Sequence, residues 1–596
     1  LNTPLRRPTF YLTDAKIQND GIFGTQVLLE WDIFQLLGFM NPPEGVESVL
    51  ITDYLSERGP AIGTRTTYNR SGMFGVPGPV TGRYDSYIIQ DDGLDFLGEG
   101  RQGILPEDDI RGRTTLRHRH LLANGWEFIG EIGYISDRNF LEQYFEQEWD
   151  RDVDRTTGLR LRRYAGSQLL DASLNVQIND FFQETEQLPS INHYALGGSI
   201  LGDSLTWSMH NEVGYERLNV ADVPLDPAIA ATTATLPGEV ASEGVVARTR
   251  QELSLPVDLG PFRVIPFAIG EASHYGEDVN GDDLTRLWGG GGLRLNLPIT
   301  RIDPSVQSSL LNIRGLAHKI DLSAEYFYAD SDTDLDQLPL YDSLDDNAQE
   351  EFRRSFIFST FGGPPLSEQF DPRSVAFRNG MQRYVTSPSD TIADDLQQLR
   401  LGMKHRFQTK RGLPGRERIV DLFRFDLETI LFPEEDRDSF GEVLGPTIYD
   451  AQYNLGDRVT LLSDGYIDFI DEGLRSISAG VRTSRPGLGD FYIGLLSMEG
   501  PISSTVLRTS LDYRLNEKWI ASAGTNYDFG EVGSVGHSFG LTRIGESFLV
   551  QIGARVDSGR DNTSLGLLIE PRFLPTRRLG LLGGQVIPPP GVEGLE

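Results

Sequence analysis

The sequence predicts an all-β fold, a large antiparallel transmembrane β-barrel, on three observations. Long segments alternate apolar and polar residues at period two, no apolar run reaches the ~20 residues of a membrane helix, and the composition favours strands and tight turns. The alternation is clearest from Leu170 to Asn179, where Leu170, Ala172, Leu174, Val176 and Ile178 interleave with Asp171, Ser173, Asn175, Gln177 and Asn179. Such a strand has one apolar and one wet face. The longest apolar stretch, Val27 to Met40, is broken by Glu30 and Asp32. Aromatics at 10% with 65 glycines suit strands and turns better than helical bundles.

Taken in chain order, Val27, Leu29, Trp31 and Ile33 alternate with Gln26, Glu30 and Asp32. Around Trp126 the set Trp126, Phe128, Ile132 and Tyr134 alternates with Glu127 and Glu131. From Leu205 to Glu216, Leu205, Trp207, Met209, Val213 and Tyr215 oppose Thr206, Ser208, His210, Glu212 and Glu216, with Asn211 the misfit. Late in the chain Leu507, Leu511, Tyr513 and Leu515 precede Asn516, Glu517 and Lys518, after which Trp519, Ala521, Ala523 and Tyr527 resume the pattern, as in a hairpin. Trp126, Tyr134, Tyr215, Tyr513, Trp519 and Tyr527 fall at strand ends, where a barrel places its aromatic girdles. Soluble sandwiches also carry two-faced strands. Two features oppose that reading: these segments exceed the usual five or six residues, and charges run along the polar side. The pattern therefore assigns Glu127, Glu131, Asp171, Ser173, Asn175, Gln177, Asn179 and Glu212 to a polar lumen.

A chain of 596 residues would need roughly four ordinary soluble domains, yet few linkers are visible. With 54 basic against 87 acidic residues the formal charge is −33, which argues against a nucleic-acid partner. Cysteine is absent, so disulfides, zinc-thiolate sites and a cysteine nucleophile are excluded. The start shows no basic segment followed by an apolar run, so no signal peptide is expected within this chain. Short connections such as Asn516 to Lys518 contrast with long acidic ones at Gly276 to Arg286, Asp330 to Glu351 and Pro433 to Glu442, the asymmetry of outer-membrane barrels. Asp330, Asp332, Asp334 and Asp336, and Asp278, Asn280 and Asp282, have oxygens that a calcium ion could use. Neither run completes a loop motif, so solvated acidic loops are the better expectation.

No enzyme and no cofactor are expected. Gly536-His537-Ser538-Phe539-Gly540 has the letters of an esterase elbow, but that motif needs a strand, a strained turn and a helix, and strands follow here. The eight histidines show no zinc-hydrolase spacing. Gly289 to Gly292 lacks the third glycine of a dinucleotide loop and suggests a close strand contact or kink. Of the basic residues five are Lys, leaving 54 − 5 = 49 Arg, a chain-wide bias from which no site is drawn.

Several segments, in order, resemble the LPS-assembly outer-membrane protein LptD family, also called organic solvent tolerance protein. Ile135-Ser136-Asp137-Arg138-Asn139-Phe140-Leu141-Glu142-Gln143-Tyr144 is similar to its serine-aspartate plus aromatic segment. Gln187-Leu188-Pro189-Ser190 is similar to its short Leu-Pro element. Arg250-Gln251-Glu252-Leu253-Ser254-Leu255-Pro256 with Pro266 and Tyr275 resembles its central pattern. The resemblance covers most of residues 20 to 573. It implies a barrel of roughly 22–26 strands over residues 20–573, a lead-in at 1–19 that holds a remnant of a periplasmic jellyroll, and a Pro/Gly-rich tail at 574–596. By the same resemblance the function is insertion of lipopolysaccharide into the outer leaflet of a Gram-negative-type outer membrane. The route is a lateral seam between first and last strands, placed at Gln26, Val27, Leu29 and Trp31 against Leu565, Leu567 and Ile569. Implied partners are lipopolysaccharide, outer-membrane lipid, a plug lipoprotein, a periplasmic bridge protein and the barrel-assembly machinery. The alternatives are a general porin or nutrient or efflux channel, a TonB-type receptor, which should carry an N-terminal plug domain not seen here, and an outer-membrane barrel hydrolase.

Overall fold

The structure, a computed structural model, describes residues 11–39, 41–98, 101–149, 156–225, 227–231, 239–341, 358, 360–363, 367–387, 389, 391–413, 415–530, 533–545 and 548–571. One 27-stranded sheet dominates it. Ser242–Ser254 and Val257–Leu259 both pair with Phe262–Tyr275 and are two pieces of one stave, so the wall has 26 staves. Every junction is antiparallel, and the first stave, Leu12–Asp20, pairs with the last, Asn562–Pro571, which closes the barrel. Residues 12–19, expected as a lead-in, are thus the first stave. The described part of the lead-in at 1–19, where a jellyroll remnant is expected, is that stave with Tyr11 before it, and residues 1–10 and 574–596 lie outside the described residues.

The barrel is inverted relative to a soluble protein. Arg58, Arg111, Arg250 and Arg286 are fully buried, whereas Leu174, Val213, Leu253 and Ile493 stand exposed on the outer wall. Period-two sequence dictates this: in Gln168–Val176, Asp171 and Ser173 turn inward and are buried while Leu170 and Leu174 face out. An exposed apolar belt over a charged interior is stable only with hydrocarbon outside and water or protein inside. Trp126 and Tyr134 occupy opposite ends of Trp126–Ile135. At about 3.3 Å per residue and a tilt near 40° they lie ~20 Å apart along the barrel axis, close to the height of a barrel's apolar band.

The two rims differ. One carries tight connections at 74–75, 122–125, 166–167, 201–204, 260–261 and 517–518. At the other the strand ends are joined through 91–109, 136–156, 220–241, 276–283, 332–395 and 432–443, of which only the described residues are placed. Of the three long acidic connections picked out from sequence, Gly276 to Arg286, Pro433 to Glu442 and the described part of the third, residues 330–341, lie at this second rim, and residues 342–351 lie outside the described residues. The first stave begins and the last stave ends at the short-turn rim. Gly289–Gly292 lies inside the 25-residue strand Leu284–Ser308, where a Cβ on Gly292 would collide with the Tyr326 carbonyl oxygen. Close strand approach therefore accounts for Gly290, Gly291 and Gly292, while a Cβ on Gly289 would meet only an ordinary contact at 3.9 Å.

Candidate functional site: the lumen and the closing junction

Each of the eight residues assigned to the lumen from sequence makes a polar contact, six of them from strands of the wall. Asp171 accepts from Arg160 Nε at 3.1 Å and Arg162 Nε at 3.3 Å, and Ser173 and Asn175 both donate to Gln187 Oε1. Glu212 pairs with Arg248 and accepts from Ser190. Glu127 pairs with Arg119, and Glu131 lies 3.7 Å from Arg117. Gln177 and Asn179 are beyond the strand end at Val176. Asn179 bonds the backbone of Ile135 and Gly133, and Gln177 that of Phe182. The misfit Asn211 is on the outer face, where Thr249 and Gln251 donate to its Oδ1; that satisfies a polar group which hydrocarbon would otherwise leave unpaired.

Sequence reasoning missed the arginines. Arg111 Nη1 reaches Asp95 at 2.7 Å and Asp91 at 2.8 Å, and its Nη2 reaches Asp137 at 2.8 Å, all buried. Arg58 joins the same cluster through Asp91. Glu271 is held between Arg250 and Arg286, with Arg250 over the Trp288 ring. Arg378 forms a bidentate pair with Asp468. The signal was present as arginines two apart, Arg111 and Arg113, Arg160 and Arg162, Arg248 and Arg250, on the wet face of strands. A chain-wide compositional bias has no reason to respect that spacing.

These arginines hold segments that fold inward from the long-loop rim. Asp137 opens a stretch whose two short helices, Phe140–Tyr144 and Glu146–Trp149, lie on an apolar patch of the inner wall. There Phe140, Leu141 and Trp149 pack with Val49, Ile51, Leu55, Tyr87 and Ile89. Phe96 N donates to Gln143 Oε1 and ties in the hairpin Asp95–Gly98 and Arg101–Ile104. On the far side of the lumen Val385 and Ala393 join Phe267, Ile269, Trp288 and Phe327, while Arg286 donates to the carbonyls of Thr391 and Ala393. Burial alone would raise the Asp91 carboxyl, but the Tyr144 hydroxyl and Arg58 overcome it and hold it below the usual carboxylate range. Burial wins at Asp95, whose carboxyl is raised.

The closing junction pairs at five positions, Ala15–Ile569 to Asn19–Leu565, fewer than any other stave junction among the described residues. Leu565, Leu567 and Ile569 lie there as expected. Gln26, Val27, Leu29 and Trp31 do not: they belong to Gly24–Asp32, the second stave, which pairs with Leu12–Asp20 and Val46–Leu55. The reason for the displacement is that Leu12–Asp20 carries Asp14, Lys16 and Asp20 among nine residues with few large apolar ones, so its strand character was hidden. Continuing the register by two positions would bring Thr13 to Pro571. The first stave bulges between Leu12 and Asp14, and proline has no N–H to give, so the ladder runs out toward the short-turn rim. At the other rim Gly21 N donates to Asn562 Oδ1 at 2.9 Å and clips the two edges together.

Ser538 is in mid-strand, in Ser534–Ile544, opposite Gly524 and Arg555. Its neighbour His537 bonds Thr525 and Ser534 instead, so the elbow geometry is missing. Asp278 Oδ1 accepts from the backbone N–H groups of Asn280 and Asp282, and those bonds, Asp282 foremost, hold its carboxyl below the usual range. Among the described residues no group of three His, Cys, Asp or Glu is placed to hold a metal ion, and no helix is long and apolar enough to cross a membrane.

No protein-family model and no curated protein matches the chain. Among solved structures it is similar to the siderophore receptor PirA from Pseudomonas aeruginosa, at 9% identity over 95% of this chain and 80% of that one, TM-score 0.29. It is also similar to the P pilus usher (PapC) translocation pore, at 7% identity over 94% of this chain and 99% of that one, TM-score 0.29. A Rhodopseudomonas blastica porin mutant shares 9% identity over 55% of this chain and 90% of that one, TM-score 0.20. At these scores the architecture rests on the hydrogen-bond ladders of the barrel itself.

Proposed function

We propose that the chain is an outer-membrane barrel that receives an amphiphilic glycolipid at its short-turn rim and releases it sideways through the junction of first and last staves. Lipopolysaccharide is the cargo that the family resemblance implies, delivered by a periplasmic bridge protein and aided by a plug lipoprotein, after the barrel-assembly machinery has inserted the wall. The observation that carries this reading is the five-position closure with its lost ladder at Thr13 and Pro571. A saccharide needs a hydrated lumen and acyl chains need hydrocarbon, and only a seam serves both. Opening any junction strips backbone groups of partners at several kcal/mol each in hydrocarbon, so the shortest ladder opens first.

The second reading, a channel for hydrated solutes, is favoured by the ionised lumen wall, as at Asp171 with Arg160 and Arg162. One experiment separates the two. Ile17 and Leu567 are paired residues, and the Ile17→Cys/Leu567→Cys double variant should form a disulfide across the closure. Locking it should halt lipopolysaccharide delivery until reductant is added, while the same lock at the paired Leu511 and Ala523 should not. Unchanged delivery through a locked seam would leave the channel reading.

A further inference from the structure

A cavity of about 260 Å³ opens on the lumen wall beside the inserted residues 379–387, lined by Arg263, Arg294, Arg383 and Arg400 with Glu325 and Glu428. Four guanidinium groups thus face two carboxylates, in a chain whose net charge is −33. Three of the four are committed. Arg294 reaches Glu252 at 2.8 Å and Glu325 at 3.2 Å and lies between the rings of Phe267 and Tyr384. Arg383 pairs with Glu325 at 2.7 Å, and Arg400 pairs with Glu428 and donates to the Asn379 carbonyl. Arg400 Nε is buried with no acceptor. Arg263 has no ion pair among the described residues, not even with Asp258 directly across the ladder. It stands at the start of Phe262–Tyr275, next to the tight turn at 260–261, so a molecule entering from the short-turn rim meets it before the inserted segment.

We propose that this cavity binds an anionic group, a phosphate monoester or carboxylate, with Arg263 as the free cation, since Arg294, Arg383 and Arg400 are balanced by Glu252, Glu325 and Glu428. Arginine's planar fork suits bidentate capture of such oxygens. The volume is below the ~300–1,000 Å³ of sites for drug-sized ligands, so the site takes one headgroup or one sugar phosphate and not a whole lipid. The identity of the physiological ligand rests on the glycolipid reading above, but binding does not require the seam to open.

The test is calorimetric titration of the detergent-solubilised protein with glucose 6-phosphate, with glucose, and with micelles of short-chain phosphatidic acid. Glucose 6-phosphate should bind, weaken with salt, and lose about tenfold in affinity in Arg263→Gln, the scale of one charge-assisted contact; glucose should not bind. Arg263 has no partner to lose, and an unchanged heat-induced mobility shift on a gel checks that the variant folds. If phosphatidic acid binds with the same dependence on Arg263 and the sugar phosphate does not, the anion is a lipid headgroup and the site stands. The proposal is overturned if neither anion binds, if glucose binds as well as glucose 6-phosphate, or if Arg263→Gln and wild type bind alike. Delivery in the seam-lock assay is read separately, so either idea can fail alone.

Discussion

Arg560, in the turn before the last stave, donates from Nη2 to the main-chain carbonyl of Glu142 at 2.6 Å across 418 positions of sequence. It also lies 3.4 Å from Glu146. On the other side of the closure Phe23, in the first turn, meets the Tyr144 ring with centroids 5.5 Å apart. The inward segment 136–149 therefore touches both edges of the shortest junction, as a strap on its lumen side.

Arg560→Ala should free that strap at one end. A hydrogen bond from a charged donor is worth about 1.5–3 kcal/mol, and the segment is further held by Arg111, so loosening rather than expulsion is expected. Amide exchange should quicken in residues 137–149 while the wall strands keep their protection. Equal quickening throughout the wall would show that Arg560 supports the barrel and not the strap.

Arg111→Gln should do more damage to the strap than Arg560→Ala. It would leave Asp91, Asp95 and Asp137 buried together with Arg58 as the remaining cation, and breaking a buried charge pair costs about 3–5 kcal/mol. Arg111→Lys should rescue little, since one ammonium does not span three carboxylates in a plane. Proteolytic cleavage within 136–149 of folded barrels reports the outcome; a resistant Arg111→Gln segment would contradict it.

Much of the wall was legible because lipid outside and water inside impose alternation on every stave, so Trp126–Ile135, Leu205–Asn219 and the hairpin at Asn516 are found where period two placed them. The inward segments were not. Phe140 and Leu141 are buried by packing on Val49 and Ile89, contacts far apart in sequence that no local period encodes. Asp137 lay inside the serine-aspartate segment noticed for its family likeness, but its partner Arg111 was hidden in a bias spread over the whole chain. The first stave was missed because nine residues with Asp14, Lys16 and Asp20 show more charge than pattern.

Leu174 and Asn175 are adjacent and face opposite ways. Leu174→Arg puts a cation on the outer belt and should cost about 2–4 kcal/mol if near the midplane, and Asn175→Arg much less because the lumen is wet. Urea unfolding in lipid vesicles measures both. Equal costs would mean that the outer belt does not meet hydrocarbon.

The Arg111 cluster also sets a pH response. Asp91 is depressed in the folded protein, so its contribution is complete above the ordinary carboxylate pKa of about 3.9 and is lost as pH falls through its lower folded value. Asp95 is raised, so it protonates first on acidification, and folding then takes up protons and gains slightly between its folded value and about 3.9. The strap should therefore stay docked down to about pH 4 and release below it. Emission from Trp149, in a variant with the other tryptophans replaced by phenylalanine, follows the release, and Asp91→Asn should flatten it. Release already complete near pH 6 would contradict the assignment.

The last prediction fixes which strands form the closure. Directly opposed residues of antiparallel staves have Cα atoms ~4.5–5.5 Å apart, within the ~7 Å a disulfide tolerates. Ile17 and Leu567 are such a pair. Leu29 belongs to the second stave, opposite Ala15, and two interstrand spacings of about 4.8 Å put it ~10 Å from the last. Ile17→Cys/Leu567→Cys should therefore oxidise readily in folded barrels and Leu29→Cys/Leu567→Cys should not. With no native cysteine to compete, a mobility shift on a non-reducing gel reads each pair without ambiguity. Should the Leu29 pair close instead, Leu12–Asp20 is not in the wall in the membrane, the barrel closes through Gly24–Asp32, and the five-position ladder that marks the seam would have to be redrawn.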